Sequence, residues 1–206
     1  EQRERSKHAT ALKKMAGHDV LSLGPDQFDH LHQSGINPTD DSMKYVWDTE
    51  VKTVVKAIIS SNGEFLDQVE KDCQTIGVIL EASPFYAEAG GQVSDTGMLT
   101  FVSKNGQTQT LSVLDVQTFA GFLLHTCVVH QDDDARSIEG FGVGAEVHPH
   151  VDYSSRRKVA PNHTMTHVLN FALRKVLGND VDQKGSHVSE DKLRFDFNTK
   201  RAMTAE

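Results

Sequence analysis

The chain has 206 residues, with 21 Lys+Arg against 29 Asp+Glu for a formal net charge of −8, and 11 histidines. That length accommodates one large domain or two small ones with a real core, so folding needs no disulfide or metal staple. No stretch approaches the roughly 20 apolar residues of a membrane span, and the N-terminal EQRERSKHATALKKM lacks the apolar centre of a signal peptide. Cys73 and Cys127 alone exclude a disulfide framework and point to a reducing compartment. The acidic balance argues against wholesale coating of nucleic acid, while local basic patches can still hold RNA.

Charge is dense from Glu1 onward, which suggests a piece of a longer protein. Residues 1–16, with Arg3, Arg5, Lys7, Lys13 and Lys14, are expected to end a solvated helix capped by Gly17. Pro25-Asp26 predicts a short helix to about Ser34, stopped by Gly35, and Pro38 to Ser42 is turn chemistry. This places residues 1–48 as a helical linker. From 49 to 155 the pattern changes to short segments rich in β-branched residues: 51–59, 75–82, 97–102, 110–116, 121–130 and 144–152. Asn62-Gly63 and Asn105-Gly106 are the strongest hairpin signals, and Ala120-Gly121 also separates two segments. Strands at this spacing predict an antiparallel barrel or sandwich. After Pro161, Val168, Leu169, Ala172, Leu173, Val176 and Leu177 recur at helical spacing up to Gly178, with Asn162 or Thr164 as the expected cap. LRFDF (193–197) alternates and reads as a strand. A second unit is therefore expected over 156–206, giving an α+β chain.

Chemistry concentrates late in the chain. His163-Thr-Met-Thr-His167 sets two imidazoles one helical turn apart, where they can grip one metal ion, most naturally Zn²⁺. The same spacing also occurs in ordinary helix histidines. A metalloprotease is disfavoured, because Thr164 stands where the general-base Glu must be. Residues 84–97, PFYAEAGGQVSDTG, combine Gly90-Gly91, which permits positive φ and close ligand approach, with Phe85 and Tyr86, which offer either a base-stacking face or core packing. Arg156, Arg157 and Lys158 precede the expected helix and can neutralise phosphates, or form a plain solvated run. Gln183-Lys184-Gly185-Ser186 offers an amide to a small polar ligand within what otherwise reads as a loop.

Two motifs, SPFYAEAGGQVSDTG (83–97) and NHTMTHVLNFALRKVLGNDVDQKGSHVSEDKLRFDF (162–197), with weaker similarity at TDDSMKY (39–45), resemble the editing region of alanyl-tRNA synthetase. The resemblance implies a translation-factor-like β-barrel followed by the start of an α/β editing subdomain, of the type shared with threonyl-tRNA synthetase. It implies hydrolysis of tRNA(Ala) mischarged with serine or glycine, beside a parent enzyme that attaches alanine using ATP. By position, His163 and His167 match zinc ligands. Thr166 and Gln183 match amino-acid pocket residues, which makes them the expected catalytic residues, and Gly90, Gly91 and Gln92 match the motif near the tRNA end. The family's further Cys-x-x-x-His ligand pair has no counterpart in this sequence, so the Zn²⁺ site is incomplete here. The implied partners are the tRNA(Ala) acceptor end and the rest of the synthetase chain, in the cytoplasm or an organelle, with no membrane. The competing expectations are a freestanding aminoacyl-tRNA deacylase and a non-catalytic tRNA-binding module.

Overall fold

The computed structural model describes residues 21–69, 75–129, 138 and 140–199. The helix expected over 1–16, its expected cap Gly17 and Cys73 lie outside them. The described residues are mostly antiparallel sheet with two α-helices, an α+β fold, and the chain divides into two compact units. One comprises Glu1–Ala87 with Asp95–Val151, the other Glu88–Ser94 with Asp152–Glu206.

In the first unit, α1 (Pro25–Gln33) begins as its sequence predicts, with Pro at the first helical position and the Gln27 side chain accepting from the Gly24 amide at 2.9 Å. It ends in a Schellman pair, Ile36 N–H to Leu31 C=O and Gly35 N–H to His32 C=O, with Gly35 at φ +68°. Leu31 is fully buried with Leu21, Leu23, Ala57, Ile59, Ile79, Phe122 and Leu124. Helix α1 is thus fastened to the sheet by the same apolar cluster that fills its interior.

The strands are β1 (Thr53–Ser60), β2 (Phe65–Leu66), β3 (Thr75–Leu80), β4 (Gly97–Val102), β5 (Thr108–Phe119), β6 (Phe122–Val129) and β7 (Glu146–Val151). They form one antiparallel sheet in the order β2-β1-β3-β6-β5-β4-β7, and β7 also pairs with β1 through Thr53↔Val147 and Val54↔Glu146. Each expected strand is present. Asn62-Gly63 and Asn105-Gly106 make the turns after β1 and β4, and Ala120-Gly121, both at positive φ, form the two-residue loop between β5 and β6. Phe85 is fully buried and meets the His125 ring edge-on at 5.5 Å, so it is core and offers no stacking face; Tyr86 is half-buried. His125 itself is fully buried in β6. Its Nδ1–H donates to Val78 C=O at 3.0 Å and its Nε2 accepts from the Ser83 hydroxyl at 2.8 Å. Burial holds its pKa at about 4, so the ring is neutral and satisfied on both nitrogens.

In the second unit, α2 (Tyr153–Leu177) starts well before the sequence-based expectation, and Pro161 lies inside it. The cap is Asp152, whose carboxylate accepts from Ser154 N–H at 2.9 Å and Ser155 N–H at 3.2 Å; neither Asn162 nor Thr164 serves. The Ser154 hydroxyl, which donates to the same carboxylate at 2.6 Å, and then the backbone bonds hold the Asp152 carboxyl below the usual carboxylate range, so it caps as an anion at the positive end of the helix. Proline removes one ladder bond at a cost of about 3 kcal/mol. Here it does not end the helix. The basic run at 156–158 therefore lies within the helix rather than before it. Gly178, at φ +106°, closes the helix with its N–H on Arg174 C=O. The segment read as a loop at 183–186 is instead the start of β8 (Gln183–Val188), which pairs with β9 (Leu193–Phe197) and carries a bulge between Gln183 and Gly185. A glycine and a ladder irregularity broke the alternation that marks a strand.

Candidate functional site

The second unit brings together, within itself, three of the segments the sequence singled out. Residues 89–92 form a tight turn: Ala89 and Gln92 exchange two backbone hydrogen bonds, at 3.0 and 3.3 Å, around Gly90 and Gly91. Both glycines have positive φ, +62° and +83°, as a type I′ turn demands. The turn is pinned to β8 by Val188 N–H on Gly91 C=O at 2.7 Å and Val93 N–H on Val188 C=O at 3.0 Å. A β-carbon at Gly91 would overlap the Ser186 hydroxyl and carbonyl, so only glycine allows this approach.

Ser186 joins the turn to Gln183. Its hydroxyl donates to Gly90 C=O at 3.1 Å and accepts from the Gln183 amide at 3.1 Å. On α2, the His163 and His167 rings lie side by side with centroids 5.4 Å apart and planes inclined by 34°. His163 is half-buried, and its Nδ1 is 2.8 Å from Gln92 Oε1. Desolvation, with the neighbouring His167 second, lowers its pKa and favours the neutral ring. Thr166 is buried, and its hydroxyl is returned to the Asn162 carbonyl at 3.0 Å. Asn162 in turn ties α2 to Ser189 C=O at 3.0 Å. His187 on β8 also has a lowered pKa, from burial first and then from Lys192 and Arg194, against an opposing effect of Glu88.

The basic run splits. Arg156 is only 4% exposed, with its guanidinium 4.9 Å from the Tyr153 ring centre. Arg157 and Lys158 are exposed, and Lys158 pairs with Glu190 at 3.3 Å. Sequence reasoning missed Ser186 as the link between Gln183 and the glycine turn, and it missed the contact of His163 with Gln92, a residue only 5% exposed. Nothing in spacing marks either; both roles depend on the turn being folded against β8.

For a metal, His163 and His167 supply two nitrogens at one-turn spacing. Among the described residues no group of three or more His, Cys, Asp and Glu is placed to hold an ion. Cys127 is no candidate: it is fully buried in the first unit, and burial pushes its thiol well up. The pair thus fits part of a tetrahedral zinc set.

Residues 1–155 match the family model described as tRNA synthetases class II (A). The chain belongs to the class II (A) tRNA synthetases. This synthetase chain is 41% identical over 184 residues to the cytoplasmic alanine–tRNA ligase of Dictyostelium discoideum, covering 89% of this chain and 18% of that protein. It is 38% identical over 214 residues to the cytoplasmic alanine–tRNA ligase of Bombyx mori, covering 98% of this chain and 21% of that protein. It is 35% identical over 188 residues to the mitochondrial alanine–tRNA ligase of Saccharomyces cerevisiae, covering 91% and 18%. The synthetase chain spans about a fifth of the length of the curated relatives it matches. The Bombyx likeness extends through the histidine helix, beyond the residues that the family model matches.

Proposed function

We propose that the chain is part of an alanine–tRNA ligase and that its second unit contributes to editing, the hydrolysis of Ser-tRNA(Ala) or Gly-tRNA(Ala). The observation that carries this reading is the gathering of the paired imidazoles, the double-glycine turn and the Gln183 amide into one unit by hydrogen bonds. Kinship to alanine–tRNA ligases supplies the class of substrate. On this reading the acceptor end of tRNA(Ala) lies along the glycine turn, with Gly90, Gly91 and Arg157 beside its backbone. Gln183 offers an amide able to recognise the serine hydroxyl that alanine lacks. A site built to hydrogen-bond a hydroxyl rejects the analogue without it strongly. Thr166 shapes the pocket wall with its methyl, since its hydroxyl is already committed to the helix backbone.

His163 and His167 would hold Zn²⁺ together with ligands from elsewhere in the parent chain; the ion, when bound, supplies an electrophile that polarises water or binds the substrate's amino group. ATP belongs to the aminoacylation reaction of the whole enzyme. The closed circuit of pairings through β1 and β7 supports reading the sheet as a translation-factor-like barrel that precedes an α/β editing subdomain. A cytoplasmic location is proposed; relatives are named both cytoplasmic and mitochondrial. No helix among the described residues is long and apolar enough to cross a membrane.

The test is deacylation of Ser-tRNA(Ala) by the parent enzyme and by its Gln183→Leu variant. The variant is expected to lose serine hydrolysis by at least about tenfold while alanine charging persists. Unchanged hydrolysis would remove Gln183 from the pocket.

A further inference from the structure

We propose that Gln92 is a positioning residue that fixes the proton of His163 on Nδ1 and so presents the Nε2 electron pair outward. This deepens the editing reading, because Nε2 is then the nitrogen through which His163 would hold zinc. An amide oxygen can only accept, so an imidazole nitrogen 2.8 Å from Gln92 Oε1 must carry the hydrogen. In a neutral ring the other nitrogen is then the bare one.

Three features of the chain make this more than a chance contact. The Gln92 backbone is locked by its exchange of hydrogen bonds with Ala89 and by the anchoring of its neighbours to Val188, which fixes where its side chain starts. The side chain is 5% exposed, so water does not compete for the amide oxygen. Gly90 lies against the Cε1 corner of the ring, between the two nitrogens: a β-carbon there would stand 3.3 Å from Cε1 and 3.8 Å from Nε2 of His163. Glycine leaves that corner uncrowded. The Gly90-Gly91-Gln92 triplet is therefore a single device, with the glycines making the turn and clearing space and the glutamine setting the tautomer.

The experiment is a long-range ¹H–¹⁵N correlation spectrum of histidine-labelled, metal-free chain at about pH 8, above the ordinary imidazole range. In the unaltered chain His163 should show a protonated Nδ1 and a bare Nε2, whereas a protonated Nε2 overturns the proposal without any variant being made. Gln92→Leu removes the acceptor and should release His163 to a mixture of tautomers or to the Nε2–H form, and Gln92→Glu should restore Nδ1–H. Persistence of Nδ1–H in a folded Gln92→Leu chain, with circular dichroism as the check on folding, also overturns it. Zinc affinity of the parent enzyme, which supplies the remaining ligands, should fall about tenfold or more in Gln92→Leu. A chain with Nδ1–H whose parent enzyme holds zinc equally well after His163→Ala would uphold the positioning role and sink the zinc part of the editing reading instead.

Discussion

His125 and His163 carry the same imidazole in two different regions, and the contrast separates structure from function. His125 sits in the sheet of the first unit, closed from solvent, with both nitrogens satisfied by Ser83 and Val78. His163 sits on a helix in the second unit, half-buried, with one nitrogen held by Gln92 and a second imidazole one turn away. A side chain whose hydrogen-bonding capacity is saturated has nothing left to offer a ligand. One held on a single side, facing its like, is arranged for a further contact.

The sharpest way to break the contrast is to remove the pair. His163→Ala/His167→Ala in the parent enzyme should lower Ser-tRNA(Ala) deacylation by more than the roughly 10–100-fold that losing a supporting partner costs, with chemical denaturation of the first unit unaltered. Undiminished hydrolysis would leave the two histidines as surface groups of α2.

The buried histidine should reveal itself through acid instead. Folded, His125 takes a proton only near pH 4; unfolded, near the ordinary 6.5. Between these values the unfolded chain binds more protons, so stability is complete above about pH 6.5 and is lost as pH falls through about 4. At about 1.4 kcal/mol per pKa unit the loss amounts to about 3 kcal/mol. Urea denaturation across that range checks it, and His125→Leu, less stable at the outset, should flatten the acid limb.

The two units also differ in how much of each could be read from the sequence. Strands in the first were visible because β-branched runs such as those of β1 and β3 stand out and Asn-Gly turns close β1 and β4, and both signals are local. In the second, Pro161 hid the true start of α2, because a ring that usually ends a helix is tolerated within this one, and Asp152 caps it from a position with no apolar run immediately after. Gly185 hid β8. The histidine pair was legible from spacing alone, and the glycine turn from composition. The bonds joining them, Gln92 to His163 and Ser186 to Gly90, link positions 71 and 96 residues apart and leave no local trace.

Glycines sharpen the comparison further. Gly91 and Gly106 have nearly the same φ, +83° and +80°, but a β-carbon at Gly106 meets nothing within 4 Å, whereas one at Gly91 overlaps Ser186. Alanine at Gly106 should cost only the left-handed backbone penalty, about 1–2 kcal/mol. Alanine at Gly91 adds a steric overlap and should cost more, with the excess appearing as faster amide exchange at Val93 and Val188. Equal costs at the two sites would mean that the turn is not packed on β8 as described.

The smallest effects concern the basic run, where neighbours in sequence part company in space. Arg156 is buried over Tyr153, while Arg157 is exposed. Arg157→Ala should leave stability within about 0.5 kcal/mol and reduce the salt slope of tRNA binding by about one, as loss of a single phosphate contact does. Arg156→Ala should do the reverse, destabilising the helix start and leaving the slope unaltered. Lys158→Ala falls between them. Its ion pair with Glu190 is solvent-exposed and contributes at most about 1 kcal/mol, so phosphate can compete for the lysine only by displacing the glutamate. If tRNA affinity responded to Arg156 and ignored Arg157, phosphate recognition would have to be assigned to another face of the chain.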